Sequence, residues 1–203
     1  LVFLFAANGI VAASGVGNLA GAATDLKNQQ IKTFLEQHWQ RPIPPQGDAP
    51  AHFSNLERSL SPQACGTCHT EQLKDWEKSL HSRAMGPGLM GQLVEMAPHA
   101  RGQHQSCIRC HAPLAEQADL LVDEINHGYT PLTPAETANP LQSRNLHRQG
   151  LVCAACHVRG NQRFGPARKN GSTPTEGQTL PHDGWSVTPA FEDSRFCAAC
   201  HQF

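Results

Sequence analysis

The chain is short of the residues from which most domains build a core. Val, Ile, Leu and Phe total 40 of 203 residues, and only 31 of them follow Thr24. That content approaches the level of disordered chains, so a conventional apolar core is excluded unless another apolar body supplies the missing surface. Tyrosine occurs once, at Tyr129. The 16 Lys and Arg are scattered and the aromatic content is 6%. A nucleic-acid-binding face, with clustered bases and stacking platforms, is therefore not expected. No cysteine lies outside four short motifs, which leaves no spare thiol for a disulfide or a nucleophile.

Those motifs are Cys65-Gly-Thr-Cys68-His69, Cys107-Ile-Arg-Cys110-His111, Cys153-Ala-Ala-Cys156-His157 and Cys197-Ala-Ala-Cys200-His201. Cys-x-x-Cys-His is the attachment pattern of c-type haem. Two thioethers and one iron–imidazole bond must meet one flat macrocycle, and the spacing meets that demand. A disulfide scaffold does not require His after every second Cys. Two Cys-x-x-Cys pairs sharing a zinc also leave the histidines unexplained, and a thioredoxin-like pair is expected once rather than four times. With 12 His in the chain, His in all four places by chance has a probability of roughly 10⁻⁵. The cofactor expectation is four haem c. Each would bring the apolar face that the side chains lack, so the chain without haem is expected to be largely unfolded.

Three regions are expected. Residues 1–24 carry no charge and open with Leu-Val-Phe-Leu-Phe. As a helix they would span about 36 Å, enough for a bilayer core. They read as a membrane anchor or a helix packed on an apolar partner, in a chain that starts inside a longer one. Gly9, Ala13, Gly17 and Gly21 suit close helix contact. Residues 25–62 read as a helix capped by Asp25, with Ile31, Phe34, Leu35 and His38 on one face, followed by a Pro-rich extended linker from 41. Residues 63–203 form a loose repeat, with cysteine starts 42, 46 and 44 residues apart (65, 107, 153, 197). Helices are predicted over 70–80, with Leu73, Trp76 and Leu80 as a stripe, and over 112–126, with Leu114, Ala118, Leu121 and Ile125, closed by Gly128. The segments 128–141 and 160–190 read as loops, with short β pairs allowed but no clear strand.

The proximal ligands are His69, His111, His157 and His201. Eight histidines remain as distal candidates, against three methionines, Met85, Met90 and Met96. His81 follows His69 by 12 residues in a helical stretch, or about 18 Å, so it should serve a different iron from the first. His182 sits in a Pro-His-Asp-Gly turn that would present it rigidly. His147 and His104 precede haem motifs and are within reach of a neighbouring haem. His38 and His52 lie near the first motif. His99 and His127 read as surface residues.

The run Cys-Gly-Thr-Cys-His-Thr-Glu-Gln-Leu-Lys-Asp-Trp-Glu-Lys-Ser-Leu-His-Ser-Arg-Ala-Met (65–85) resembles the opening of the cytochrome c554-type multihaem cytochromes. The segments 110–117, 150–159 and 196–203 fit related members. The resemblance implies a mostly α fold with long irregular loops, wrapped around closely stacked haem pairs with little or no sheet. It implies that His81 closes the fourth haem and that His182 closes the third. It leaves the second haem open and draws the first haem's ligand from a C-terminal segment. This sequence ends two residues after His201, so a longer chain that carries that segment, His38, His52 or a neighbouring subunit's His stand as alternatives.

These readings point to electron transfer outside the cytoplasm, where haem c is attached, between redox protein partners or along a chain of stacked copies. A periplasmic membrane-associated relay and a subunit of an extracellular filament both fit. The rival is a haem enzyme acting on nitrite- or hydroxylamine-type compounds at one open iron. Against it stand the absence of a Cys-x-x-Cys-Lys variant and the supply of spare histidines. A purely structural or metal-storage protein is the third class.

Overall fold

The computed structural model describes residues 15–175 and 179–201. The described part is mostly helical, with long irregular connections and one small sheet. The first 14 residues of the expected apolar segment lie outside it. Among the described residues no helix is long and apolar enough to cross a membrane.

Helix α1 spans Gly15–His38. Asp25 is exposed inside it and does not cap it, because the Gly- and Ala-rich residues before it are also helical. Residues 21–30 are exposed, and the last two turns carry the anticipated face. Ile31 is buried with Ala190 and Phe196, and Phe34, Leu35, Trp39 and Phe191 pack around them. The following segment is pinned by Asn161, whose Nδ2 donates to the Gln46 carbonyl at 2.9 Å and to those of Gly47 and Asp48. Its end is not extended as expected. Helix α2 covers Asn55–Arg58, where Ser54 and Glu57 form a reciprocal capping box, and α3 covers Pro62–Gly66, where proline occupies the first turn.

Helix α4 spans Thr70–Lys78. Ser79 ends it, because its backbone turns extended and its Oγ donates to the Trp76 carbonyl at 2.7 Å. Leu80 is thereby expelled from the predicted stripe and is 83% exposed. Leu73 and Trp76 keep their inward face. A Cβ on Gly66 would lie 2.1 Å from Leu73 Cδ2, so the first motif's glycine lets α3 and α4 touch.

Helices α5 (Pro87–Glu95), α6 (His104–His111) and α7 (Ala115–His127) enclose a second cluster. Met85, Met90, Leu93, Ile108, Ala112 and Leu121 are buried there, with Met96 packed against them. The methionines weighed as rival iron ligands therefore serve packing. Each fully buried side chain of this size contributes on the order of 1.5–3 kcal/mol. Gly128 closes α7, as predicted. Helix α8 (Pro134–Ala138) interrupts the expected 128–141 loop.

A third cluster joins Leu114, Leu146, Leu151, Val152, Ala154, Ala155 and Val158 around α9 (Cys153–His157). Strands β1 (Val158–Arg159) and β2 (Gln162–Gly165) pair antiparallel, and β3 (Ser186–Val187) adds to β2 in parallel. Gly160 and Asn161, both at positive φ, make the two-residue turn that matches strand twist.

Candidate haem sites

Each motif is one turn of helix. The first begins in α3, the second ends α6, the third is α9, and the fourth lies in a 3₁₀ stretch, Ser194–Ala199, and the residues after it. In the first and fourth motifs the histidine N–H donates to the first cysteine's carbonyl, at 2.9 Å in both. A helical turn puts positions i, i+3 and i+4 on one face, so two thiols and an imidazole emerge together. All eight thiols are free of disulfides.

The motifs meet in twos. Helices α3 and α9 touch, and the neighbouring Cys65 and Cys153 thiols perturb one another, lowering the pKa of Cys65 and raising that of Cys153. Cys200 neighbours Cys110, and burial, with that thiol beside it, pushes Cys200 up to about 12. Among the described residues no three Cys, His, Asp or Glu side chains converge as a metal cage, whereas a thiolate zinc site needs four.

The imidazoles supply the decisive geometry. A metal–imidazole bond is about 2 Å long, so two ring centres on opposite sides of one iron sit about 6 Å apart. His69 and His182 have ring centres 6.5 Å apart, with planes inclined at 29°. His81 and His201 are 6.1 Å apart, at 54°. Three imidazoles also have one nitrogen committed to a backbone carbonyl. His111 Nδ1 meets Ala84 O at 2.6 Å, His157 Nδ1 meets Phe164 O at 2.9 Å and His182 Nδ1 meets Gly184 O at 2.8 Å. A carbonyl only accepts, so each Nδ1 carries the proton and Nε2 keeps the lone pair that a metal needs. These residues fit a covalently attached haem.

Helix α4 ends early, so the span from His69 to His81 is not one helix, but the two rings still serve different neighbours. The resemblance assigns His182 to the third motif; its ring lies 6.5 Å from that of His69, in the first. The turn at 181–184 folds back over α2, where Glu57 Oε1 accepts the His182 N–H at 2.7 Å. Bonds from Ser54, then from His182, hold the Glu57 carboxyl down at about 2. His38 and His52 do not face His69. The His38 Nε2 donates to the Cys156 carbonyl at 2.8 Å inside an aromatic cluster, and burial, with Arg159 beside it, lowers its pKa to about 3. The His52 Nε2 lies 3.0 Å from Asp183.

His147 is 3% exposed, with Nε2 on Glu124 at 2.8 Å and Nδ1 buried without a partner. Burial lowers its pKa; burial alone would raise Glu124, but Arg148 and His147 hold that carboxyl low. The His104 Nε2 is likewise buried and unpaired. His99 is exposed, and His127 sits on the surface beside Asp123. Desolvation lowers the His157 pKa, and its ring lies 4.9 Å from Phe191.

Residues 64–133 match the family model of cytochrome c554 and c-prime, a span that contains the first two motifs, the end of α3 and all of α4 to α7. The chain is a c-type cytochrome resembling that family. Neither the comparison with curated proteins nor that with solved structures found a match. In this cytochrome the residues that hold the His-bearing turns were not evident from composition. Glu57 was visible only as the fourth residue of a Ser-x-x-Glu capping pattern, and the hairpin that aims the Phe164 carbonyl at His157 was visible only as Gly160-Asn161.

Proposed function

We propose that the cytochrome carries four covalently attached haem c groups and works as an electron carrier. Cys65, Cys68, Cys107, Cys110, Cys153, Cys156, Cys197 and Cys200 form the thioethers. His69, His111, His157 and His201 are the proximal ligands. His182 would hold the first haem's iron together with His69, and His81 the fourth haem's iron together with His201. The observation that carries this reading is the pair of imidazole separations, 6.5 and 6.1 Å. Haem c supplies one-electron chemistry, with potentials tuned by axial ligands, burial and hydrogen bonds.

The chain's own task is then to hold four attachment points close together and keep the ligand nitrogens deprotonated. The thiol contacts between motifs one and three, and between two and four, support two adjacent haem pairs. Cys156 packs against the cluster that contains Phe196, the neighbour of Cys197, which supports contact between the pairs. Such an array suits a relay between redox proteins outside the cytoplasm, or a longer conductor built from copies of the chain, with residues 1–24 available for a membrane or an apolar partner.

The test combines the haem count with the state of each iron. Intact mass of the denatured holoprotein is expected to show four attached haems. Low-temperature EPR is expected to show low-spin signals that vanish, one at a time, in His81→Ala and His182→Ala. Fewer than four haems, or both variants leaving every low-spin signal in place, would overturn the assignment. A high-spin iron that binds CO in the unaltered protein would turn attention to small-molecule turnover there.

A further inference from the structure

A knot of main chain ties two of these iron ligands to one glycine. Gly150 is buried, with φ of +69°. A Cβ there would lie 2.3 Å from the His81 carbonyl oxygen, 2.9 Å from the Ala84 nitrogen and 3.2 Å from the Ser82 carbonyl carbon. All three are backbone atoms, so no side chain can swing aside. The next residue extends the contact, because the Leu151 N–H donates to the His81 carbonyl at 2.9 Å.

The segment so gripped is short. A 3₁₀ turn covers His81–Arg83, and Ala84 closes it with its N–H on the His81 carbonyl. His81 stands at its start, and at its end the Ala84 carbonyl accepts the His111 Nδ1 proton. The grip is anchored from two helices. Gln117, fully buried on α7, donates to the carbonyls of Gly150 at 2.8 Å and Leu146 at 3.0 Å. Trp76 on α4 donates from Nε1 to the Leu151 carbonyl at 2.8 Å.

We infer that Gly150 is a positioning residue for two haems at once: by seating the 81–84 turn it sets the distal imidazole His81 and, through the Ala84 carbonyl, the orientation and basicity of the proximal imidazole His111. The inference rests on the ligand roles proposed above. Its physical basis is that an imidazole's donor strength follows the hydrogen bond on its other nitrogen. A left-handed backbone in contact with another main chain admits only glycine without displacement.

The experiment is EPR and redox titration of the holoprotein, with signals assigned by His81→Ala and His182→Ala. Gly150→Ala is expected to shift the His81 signal together with one further haem signal, low-spin or high-spin, that is not the His182 one, and to move two of four midpoint potentials. If only the His81 signal moves, if the His182 signal moves as well, or if none moves, the inference falls. Should Gly150→Ala fail to mature, Gln117→Leu decides, since it keeps the volume and removes the bond to the Gly150 carbonyl. It is expected to shift the same two signals by less, and a lower melting temperature with unaltered signals would mark a purely structural role and overturn the proposal. Failure of the haem-ligand reading itself would appear earlier, as no signal lost in His81→Ala.

Discussion

The turns that carry His81 and His182 do the same job by opposite means. The 181–184 turn is strained: His182 and Asp183 are consecutive non-glycine residues at φ of +47° and +59°, each costing on the order of 1–3 kcal/mol. Side chains hold it, with Glu57 on the His182 amide and His52 on Asp183. The 81–84 turn is an ordinary 3₁₀ turn held chiefly by main chain, with the Ser82 hydroxyl donating to the Ser79 and Glu77 carbonyls, and its unusual requirement is a glycine elsewhere, at 150. His182 is half-buried and His81 is exposed. A strained turn needs a strong local partner to persist, and a carboxylate accepting a backbone N–H is such a partner. A relaxed turn needs only a surface shaped to receive it.

The largest effects should come from the ligands themselves. His182→Ala and His81→Ala are each expected to convert one low-spin iron wholly to a high-spin, CO-binding state, read by EPR and visible spectra. The same iron responding to both variants would break the comparison.

The holding groups come next. Glu57→Ala should release the 181–184 turn and give a partial high-spin fraction at the His69 iron, leaving the His81 signal unaltered. Glu57→Gln, which keeps an acceptor oxygen, should restore most of the low-spin signal. A change of equal size at the His81 iron would mean that the two turns are not held separately.

A third effect lies in the aromatic cluster around His38. His38 has its folded pKa lowered from 6.5 to about 3, so above pH 6.5 it is neutral in both states and costs nothing. As pH falls below 6.5 the unfolded chain takes up the proton and the folded one does not, so stability is lost progressively towards pH 3. Between pH 7 and pH 5 the loss should be about 2 kcal/mol. Denaturant unfolding at the two pH values should show this difference shrinking in His38→Gln. Glu57, held at about 2, should keep its grip on the turn throughout that range, since a lowered carboxyl stays ionised until the pH approaches its folded value.

The smallest effect should be His52→Ala. Both partners of the His52–Asp183 pair are about two-thirds exposed, and exposed pairs contribute about 0.2–1 kcal/mol. Thermal unfolding should change little and the His69 iron should stay low-spin. A high-spin fraction comparable to that of Glu57→Ala would raise His52 to an equal holder of the turn.

Local pattern explains what was legible beforehand. The motifs state their chemistry within five residues. The faces of α1 and α7 followed from helical spacing, and the packing of Ile31, Phe34, Leu35, Ala118, Leu121 and Ile125 agrees with it, although α7 starts at Ala115 and Leu114 before it packs in another cluster. The end of α4 was misjudged because a serine hydroxyl competing for the Trp76 carbonyl outweighs helical continuity. The small sheet escaped because its strands are two to four residues long and one pairing is between β2 and β3, separated by a long loop.

By itself, then, the sequence marked the four Cys-x-x-Cys-His motifs and the helical character of the chain, since each depends on residues within one or two turns of one another. Which imidazole faces His69, which carboxylate holds the His182 turn, and why position 150 must be glycine were decided only by the tertiary structure. His182 and Glu57 are 125 residues apart in the chain, and Gly150 is tested by the backbone of residues 81–84. Contacts at such separation are set by how the helices and loops close on one another, and no local periodicity records that.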